Sequence, residues 1–269
     1  MSNLYGLIGY PLGHSFSAAF FAEKFSREHV DARYENFEMP SVGKLRDFVR
    51  AHPQLRGFNV TIPHKQAVIP HLDALSEEAR EIGAVNVVKV CRGRLVGYNT
   101  DVLGFVRSLE PLLPSESEGK VALVLGTGGA SKAVCYGLRG LGYHPQFVSR
   151  TRRDSIISYA DLTPALMAEA HLVVNCTPLG MYPHVDVAPD IPYHLLTPRH
   201  ILYDLVYNPP ETEFLRRGRE HGTITKNGLE MLHLQAEAAW EIWNAPARAQ
   251  GCSPSSHHLL GEFSDKPSA

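Results

Sequence analysis

Val121-Ala122-Leu123-Val124-Leu125-Gly126-Thr127-Gly128-Gly129-Ala130-Ser131 decides the fold class of this chain. The aliphatic run reads as a buried strand, the glycines as a tight turn, and residues 130–141 as an amphipathic helix. A glycine-rich turn placed between a strand and a helix lets the backbone approach a pyrophosphate. The free amides at the helix start can then bind the charge. Ser131 stands where the general fingerprint has its third glycine. Strands expected at 145–149, 172–175 and 201–205 alternate with helical stretches, which implies a parallel sheet with right-handed crossovers.

Upstream of this unit, residues 4–8, 33–37 and 57–60 read as strands, and 17–29 and 42–50 as helices. Residues 85–90 and 95–98 read as a hairpin joined through Gly93. The prolines, serines and glycine of 111–119 mark a connection between the two units. After Gly228, residues Leu229, Leu232, Ala236, Trp240 and Trp243 recur at helical spacing. From Ala245 onward no periodic pattern remains, so residues 245–269 are expected to form a flexible tail, and the His257-His258 pair within it is assigned no function. The fold class is therefore α/β, with an N-terminal α/β domain followed by a Rossmann-like domain.

A chain of 269 residues with 44% hydrophobic and 20% charged content has enough apolar material for one large domain or two smaller ones. The net charge of -2 leaves no broad basic footprint for nucleic acid, so a small ligand is the expected partner. Cysteines 91, 135, 176 and 252 show neither zinc-site nor disulfide-framework spacing and read as reduced thiols. No metal is expected. The N-terminus lacks a basic segment followed by an apolar signal region, and no stretch of about eighteen apolar residues suggests a membrane span. A cytoplasmic location is the expectation.

The polar residues carry the chemistry. Asn59-Val60-Thr61-Ile62-Pro63-His64-Lys65, Gly83-Ala84-Val85-Asn86 and Asn99-Thr100-Asp101 gather amides, hydroxyls, one lysine and one aspartate. Such a set suits a polyhydroxylated ligand, because amides and hydroxyls each donate and accept, while Lys65 and Asp101 can handle a proton. Ser15 and Ser17 point the same way in an extended segment, so both hydroxyls can donate to one carboxylate; Ser17 is equally placed to cap the helix that follows. About twenty residues after the glycine turn, Ser149-Arg150-Thr151-Arg152-Arg153 offers arginines where an NAD site would offer an acid, which favours NADP and its 2'-phosphate. Asn175-Cys176-Thr177-Pro178-Leu179-Gly180-Met181 and Asp204-Leu205-Val206-Tyr207-Asn208-Pro209 each follow an expected strand, at the edge where open sheets bind ligands. Cys176 reads as a small buried hydrophobe, since no partner base accompanies it.

These segments resemble the shikimate dehydrogenase family, as do Gly9-Tyr10-Pro11-Leu12-Gly13-His14-Ser15-Phe16-Ser17 and Asn227-Gly228-Leu229-Glu230-Met231-Leu232-His233-Leu234-Gln235-Ala236. The resemblance runs from Leu4 to Trp243, and the GxGGAS form of the glycine turn is usual in that family. Ala18, Phe21 and Ala22 depart from it, standing where the pattern usually has proline, histidine and asparagine. The resemblance implies a substrate domain of residues 1–104 completed by 228–244, with the last helix returning to it, and an NADP-binding domain of 105–227. It implies reversible reduction of 3-dehydroshikimate to shikimate, with Lys65 and Asp101 as catalytic pair. Ser15, Ser17, Thr61, Asn86, Tyr207 and Gln235 are matched to substrate. Gly126, Thr127, Gly128, Gly129, Ala130, Ser149, Arg150, Thr151, Arg152, Arg153, Thr177, Leu205 and Gly228 are matched to cofactor. For Lys65, desolvation favours loss of its proton and a neighbouring aspartate favours retention; the sequence leaves both open. Two other readings are a quinate/shikimate dehydrogenase using NAD and a non-catalytic ligand sensor on the same fold. The family includes monomers and homodimers.

Overall fold

The computed structural model describes residues 2–12, 16–114 and 119–246. The chain divides into two compact units, one formed by residues up to Thr100 with those from Ala236 onward, the other by Asp101–Gln235. The first unit contains β1 (Asn3–Gly9), α1 (Phe16–Arg27), β2 (Ala32–Glu38), α2 (Leu45–Ala51), β3 (Leu55–Val60), α3 (His64–Ala67), β4 (Ala74–Leu75), α4 (Glu77–Ile82), β5 (Val87–Cys91) and β6 (Arg94–Tyr98). The strands form one mixed sheet in the order β2-β1-β3-β5-β6-β4. β1 is parallel to both neighbours, whereas β5 runs antiparallel to β3 and β6. Arg92 and Gly93 close the β5–β6 hairpin with φ of 50° and 79°, the two positive values that a type I′ turn needs.

Side-chain alternation along β3 separates two cores. Phe58 and Val60 point into a cluster with Leu4, Ile8, Leu45 of α2 and Leu95. Gly57 and Asn59 face the other side, where Tyr5, Phe21 and Phe25 pack with Ala236, Ala239, Ile242 and Trp243. Those last four belong to α9 (Leu229–Asn244), so the C-terminal half of the final helix is part of the first unit's core, as expected. Trp243 lies across β3 so closely that a Cβ on Gly57 would sit 2.2 Å from its Nε1. Its indole donates to the Val88 carbonyl at 3.1 Å. The Lys89 ammonium donates to the carbonyls of Ile242 (2.8 Å) and Ala245 (2.5 Å), placing a cation at the helix C-terminus. Cys91 is disulfide-bonded, which corrects the expectation of reduced thiols throughout; Cys135 and Cys176 are free. Spacing along the chain could not anticipate this, because a disulfide depends on approach in space.

The second unit contains α5 (Asp101–Leu109), β7 (Val121–Leu125), α6 (Gly129–Gly140), β8 (His144–Ser149), β9 (Ile156–Ser158), α7 (Pro164–Glu169), β10 (Ala170–Asn175), β11 (Ile201–Asp204), α8 (Glu213–Glu220), β12 (Ile224–Lys226) and the first part of α9. Its sheet is wholly parallel in the order β12-β11-β10-β7-β8-β9. Counted within the unit this is 6-5-4-1-2-3, the order of a doubly wound dinucleotide-binding fold, with the strand order reversing at β7. At the carboxyl edge, the fully buried Asp204 ties two strands together. One carboxylate oxygen accepts from Asn175 Nδ2 (2.9 Å) and Val206 N (3.0 Å), the other from Thr212 Oγ1 (2.5 Å). Burial pushes its pKa from 3.8 up to about 7, against the pull of those three donors.

Two outcomes follow from these contacts. Replacing Trp243 with alanine empties the centre of the aromatic cluster and should lower unfolding free energy by about 3–5 kcal/mol, while phenylalanine should lose less. Urea unfolding checks this, and a wild-type midpoint for the alanine variant would show that α9 does not hold the first unit together. Because the pKa of Asp204 is raised on folding, the native state binds the extra proton. Its contribution is therefore fully present below pH 3.8 and is lost as pH rises towards about 7. Between those limits the wild type should lose on the order of a few kcal/mol relative to Asp204→Asn. Parallel stability curves for the two proteins would overturn this.

Candidate active site

In the first unit the expected substrate residues gather at the carboxyl end of β3. The chain turns there because Thr61 N bonds Ile8 O at 2.9 Å and Tyr10 N bonds Ile62 O at 3.1 Å. Gly9 is needed at this crossing, since a Cβ on it would meet Thr61 Cγ2 at 2.4 Å. Lys65 lies on the short α3, whose place is fixed from both sides. The buried His64 ring contacts Met39 O at 2.5 Å, and Val85 N donates to the Lys65 carbonyl at 2.7 Å. That second bond brings α3 beside Asn86. The Asn86 side chain donates to Thr100 Oγ1 (3.0 Å) and accepts from Thr100 N (2.8 Å), so its amide is held at both ends.

Ser17, the second residue of α1, hydrogen-bonds Tyr34, a contact sequence reasoning did not supply. The Tyr34 hydroxyl donates to Asn59 Oδ1 at 2.7 Å, and Asn59 Nδ2 donates onward to the Asn86 carbonyl at 3.3 Å. Burial raises the Tyr34 pKa far above that of a free tyrosine, with the Ser17 hydroxyl pulling the other way, so the phenol stays protonated. Phe21, one of the departures from the family pattern, is fully buried and stacks on Tyr34 with ring centroids 4.7 Å apart. Ser15 lies outside the described residues. Asn59 and His64 stood inside the quoted motif, whereas nothing in the strand pattern of β2 singled out Tyr34.

In the second unit, Asp101 opens α5 and is buried. Gln235 is buried on α9, and Gly104 of α5 comes so near that an added Cβ would lie 3.2 Å from Gln235 Cβ. The glycine turn fits a dinucleotide. Gly126 has φ of 105°, and a Cβ there would meet Thr177 Cγ2 at 3.2 Å. Gly128 caps α6 without a side chain and has open space where a Cβ would be, which leaves the helix amides accessible. Ser131, at the third glycine position, turns its hydroxyl onto Gly128 O at 2.7 Å. Thr127 and Gly128 are exposed; Gly129 and Ala130 are half-buried. Thr177 is oriented by Asn175, whose Oδ1 accepts from both its amide (3.0 Å) and its hydroxyl (2.6 Å). Gly228 lies against Leu205, where an added Cβ would stand 2.2 Å from the carbonyl oxygen. Burial raises the pKa of the Tyr207 hydroxyl and of the Cys176 thiol, the latter strongly, in keeping with a thiol that is not a nucleophile.

The loop after β8 separates its arginines by role. Ser149 Oγ donates to Thr151 O (2.6 Å) and accepts from Thr151 N (3.2 Å), which fixes the turn. Arg152 pairs with Asp161 at 3.3 Å. Arg150 and Arg153 are exposed and have no carboxylate partner among the described residues. The same residues include no group of His, Cys, Asp and Glu that could hold a metal, and no helix long and apolar enough to cross a membrane.

The family model for the shikimate dehydrogenase substrate binding domain matches residues 7–88. The shikimate dehydrogenase (NADP(+)) of Symbiobacterium thermophilum is 42% identical over 260 residues, covering 88% of this chain and 87% of that one. The enzyme of the same name from Desulforamulus reducens is 39% identical over 258 residues, covering 88% of both. Among solved structures, the shikimate 5-dehydrogenase of Thermus thermophilus, in complex with NADP(H) and shikimate, superposes with a TM-score of 0.80 at 33% identity, over 91% of this chain and 94% of that one. Likeness of this extent takes in the polar set around β3 as well as the glycine turn after β7, and on it the chain belongs to the shikimate dehydrogenase family.

Proposed function

We propose that this protein is an NADP-dependent shikimate dehydrogenase, an oxidoreductase that reversibly reduces 3-dehydroshikimate to shikimate in the route to chorismate and the aromatic amino acids. The observation that carries the reading is the chain of hydrogen bonds from Ser17 through Tyr34 and Asn59 to Asn86 and Thr100, with α3 and its lysine held beside it. Residues 1–104 with 228–244 are assigned to substrate and 105–227 to NADP. Ser15 and Ser17 hold the ring carboxylate. Thr61, Asn86, Tyr207 and Gln235 contact the rest of the substrate, each polar group rejecting an analogue that would leave it unpaired. Lys65 gives its proton to the substrate oxygen as the ketone becomes an alcohol, and Asp101 orients the ammonium. The nicotinamide, when bound, supplies or accepts the hydride. Gly126, Thr127, Gly128, Gly129 and Ala130 hold the pyrophosphate, Thr177, Leu205 and Gly228 line the cofactor, and Ser149 to Arg153 read the 2'-phosphate. A cytoplasmic monomer or homodimer accompanies this reading.

A steady-state assay crossing shikimate and quinate with NADP and NAD tests the proposal; activity confined to quinate and NAD would replace it, and no turnover with any pair would leave a ligand sensor. Lys65→Met keeps an apolar stem without the ammonium, so turnover should fall about a hundredfold or more with little change in shikimate affinity. Near-normal turnover would remove Lys65 from the proton step. The partners of the arginines set their rank. Arg150→Ala should raise the KM for NADP about tenfold or more while leaving that for NAD almost unchanged, and Arg152→Ala should do less because Asp161 already engages it. Equal losses with both cofactors would show that this loop does not discriminate.

A further inference from the structure

The first unit contains a cavity of about 400 Å³ that shares no residue with the sites assigned above. Its lining combines the apolar Val49, Pro53, Leu55, Val90 and Leu95 with the basic Arg46, Arg50, His52, Arg56 and Arg92. Leu55 and Leu95 are core residues closed to solvent, so the apolar surface a ligand can reach is that of Val49, Pro53 and Val90. Arg56 stands at the start of β3, five residues before Thr61, so the cavity and the substrate residues lie about 16 Å apart along one strand.

Four arginines from three elements line this cavity, in a chain whose net charge is -2. Arg46 and Arg50 come from one face of α2, Arg56 from β3, and Arg92 from the hairpin turn. Two are neutralised: Arg46 pairs with Asp73 at 2.8 Å and Arg50 with Asp47 at 3.1 Å. The other two are not. Arg56 donates only to the neutral amide of Asn3 (2.9 Å), and Arg92 has no acidic partner among the described residues. Like charges lining one cavity repel, and an anion seated between them removes that repulsion and gains bidentate hydrogen bonds. Two uncompensated guanidiniums match a phosphate monoester, which carries close to two negative charges near neutrality. The apolar surface asks for a compact hydrophobic or ring body on the same molecule, and the volume lies in the range of small-ligand sites.

We propose that this cavity is a second ligand site, specific for an organic phosphate monoester whose phosphate is held by Arg56 and Arg92 and whose apolar body rests on Val49, Pro53 and Val90. The ring of such a ligand enters first and the phosphate stays with the arginines, where solvent shares it. Titration calorimetry with phenyl phosphate tests it, using the full chain saturated with NADP and shikimate so that the cofactor's own phosphate contacts are occupied. The expected result is saturable one-to-one binding that weakens with salt, with inorganic phosphate about tenfold weaker and phenol silent. The double variant Arg56→Gln, Arg92→Asn should lose about tenfold or more in affinity. Asparagine is chosen because it tolerates the positive φ of position 92 and makes an Asn-Gly turn, so the hairpin is retained, and an unchanged melting temperature confirms this. Absence of saturation up to about 10 mM phenyl phosphate, or undiminished binding by the folded double variant, would overturn the proposal. So would equal affinity for inorganic phosphate, which would leave the apolar surface without a role.

Discussion

The first unit depends on the seating of Trp243 over Gly57. A side chain at position 57 would occupy the place of the indole, and without the indole the face of β3 shared by Tyr5, Phe21 and Phe25 has nothing at its centre. The residues that make this contact are far apart in sequence, yet the entropy of closing so long a loop grows only by about 0.6 kcal/mol per doubling of length. Burying an aromatic ring of this size outweighs that increment, so a late helix can complete an early sheet. Lys89 and Lys24 then fix the helix along its length, the first at its last carbonyls and the second through Glu237 at 2.7 Å.

The consequence reaches the polar set. Gly57 and Asn59 alternate onto the same face of β3, so the cluster that receives Trp243 continues directly into the site. Phe21 stacks on Tyr34, Tyr34 donates to Asn59, and Asn59 donates to the Asn86 carbonyl. Asn59, Asn86, Asn99 and Thr100 are all buried, and each unsatisfied amide would cost about 1–3 kcal/mol. Their pairing removes that cost and also leaves each group a single orientation. Rigidity at the site is thus inherited from the aromatic core beneath it.

What could be read from the sequence was whatever a local pattern encodes. The run Val121 to Leu125 followed by glycines specified strand, turn and helix, and Gly93 specified the hairpin, because each rests on neighbours in the chain. No helical pattern in the sequence marks the short α3 or the helix opening at Asp101. The first is only four residues long, and the second begins inside a segment singled out for its polar chemistry. Long-range partners were equally hidden. Arg152 and Arg150 look alike in sequence and differ only because Asp161 folds back onto one of them. The replacement of the usual histidine by Phe21 became intelligible once its ring was found buried on Tyr34. Likewise, Asp204 is the first residue of a motif, but its raised pKa comes from burial that no spacing reveals.

Both units place at the end of a strand an asparagine that uses both halves of its amide, Asn86 just before β5 begins and Asn175 as the last residue of β10. Asn86 donates to the Thr100 hydroxyl and accepts from the Thr100 amide, which fixes the residue just before Asp101. Asn175 donates to Asp204 and accepts from Thr177, which fixes the residue assigned to the cofactor. An amide offers a donor and an acceptor on one planar group, whereas an ionised carboxylate of the same shape only accepts and could not serve. The demand is stricter in the second unit. The Thr100 hydroxyl could turn to donate, whereas the group opposite Asn175 is itself a carboxyl, and a second carboxylate there would face it across a desolvated gap. The amide at position 175 therefore does two things with one side chain: it supplies a donor to a buried acid, and it transmits that fixed position to the loop that the dinucleotide needs.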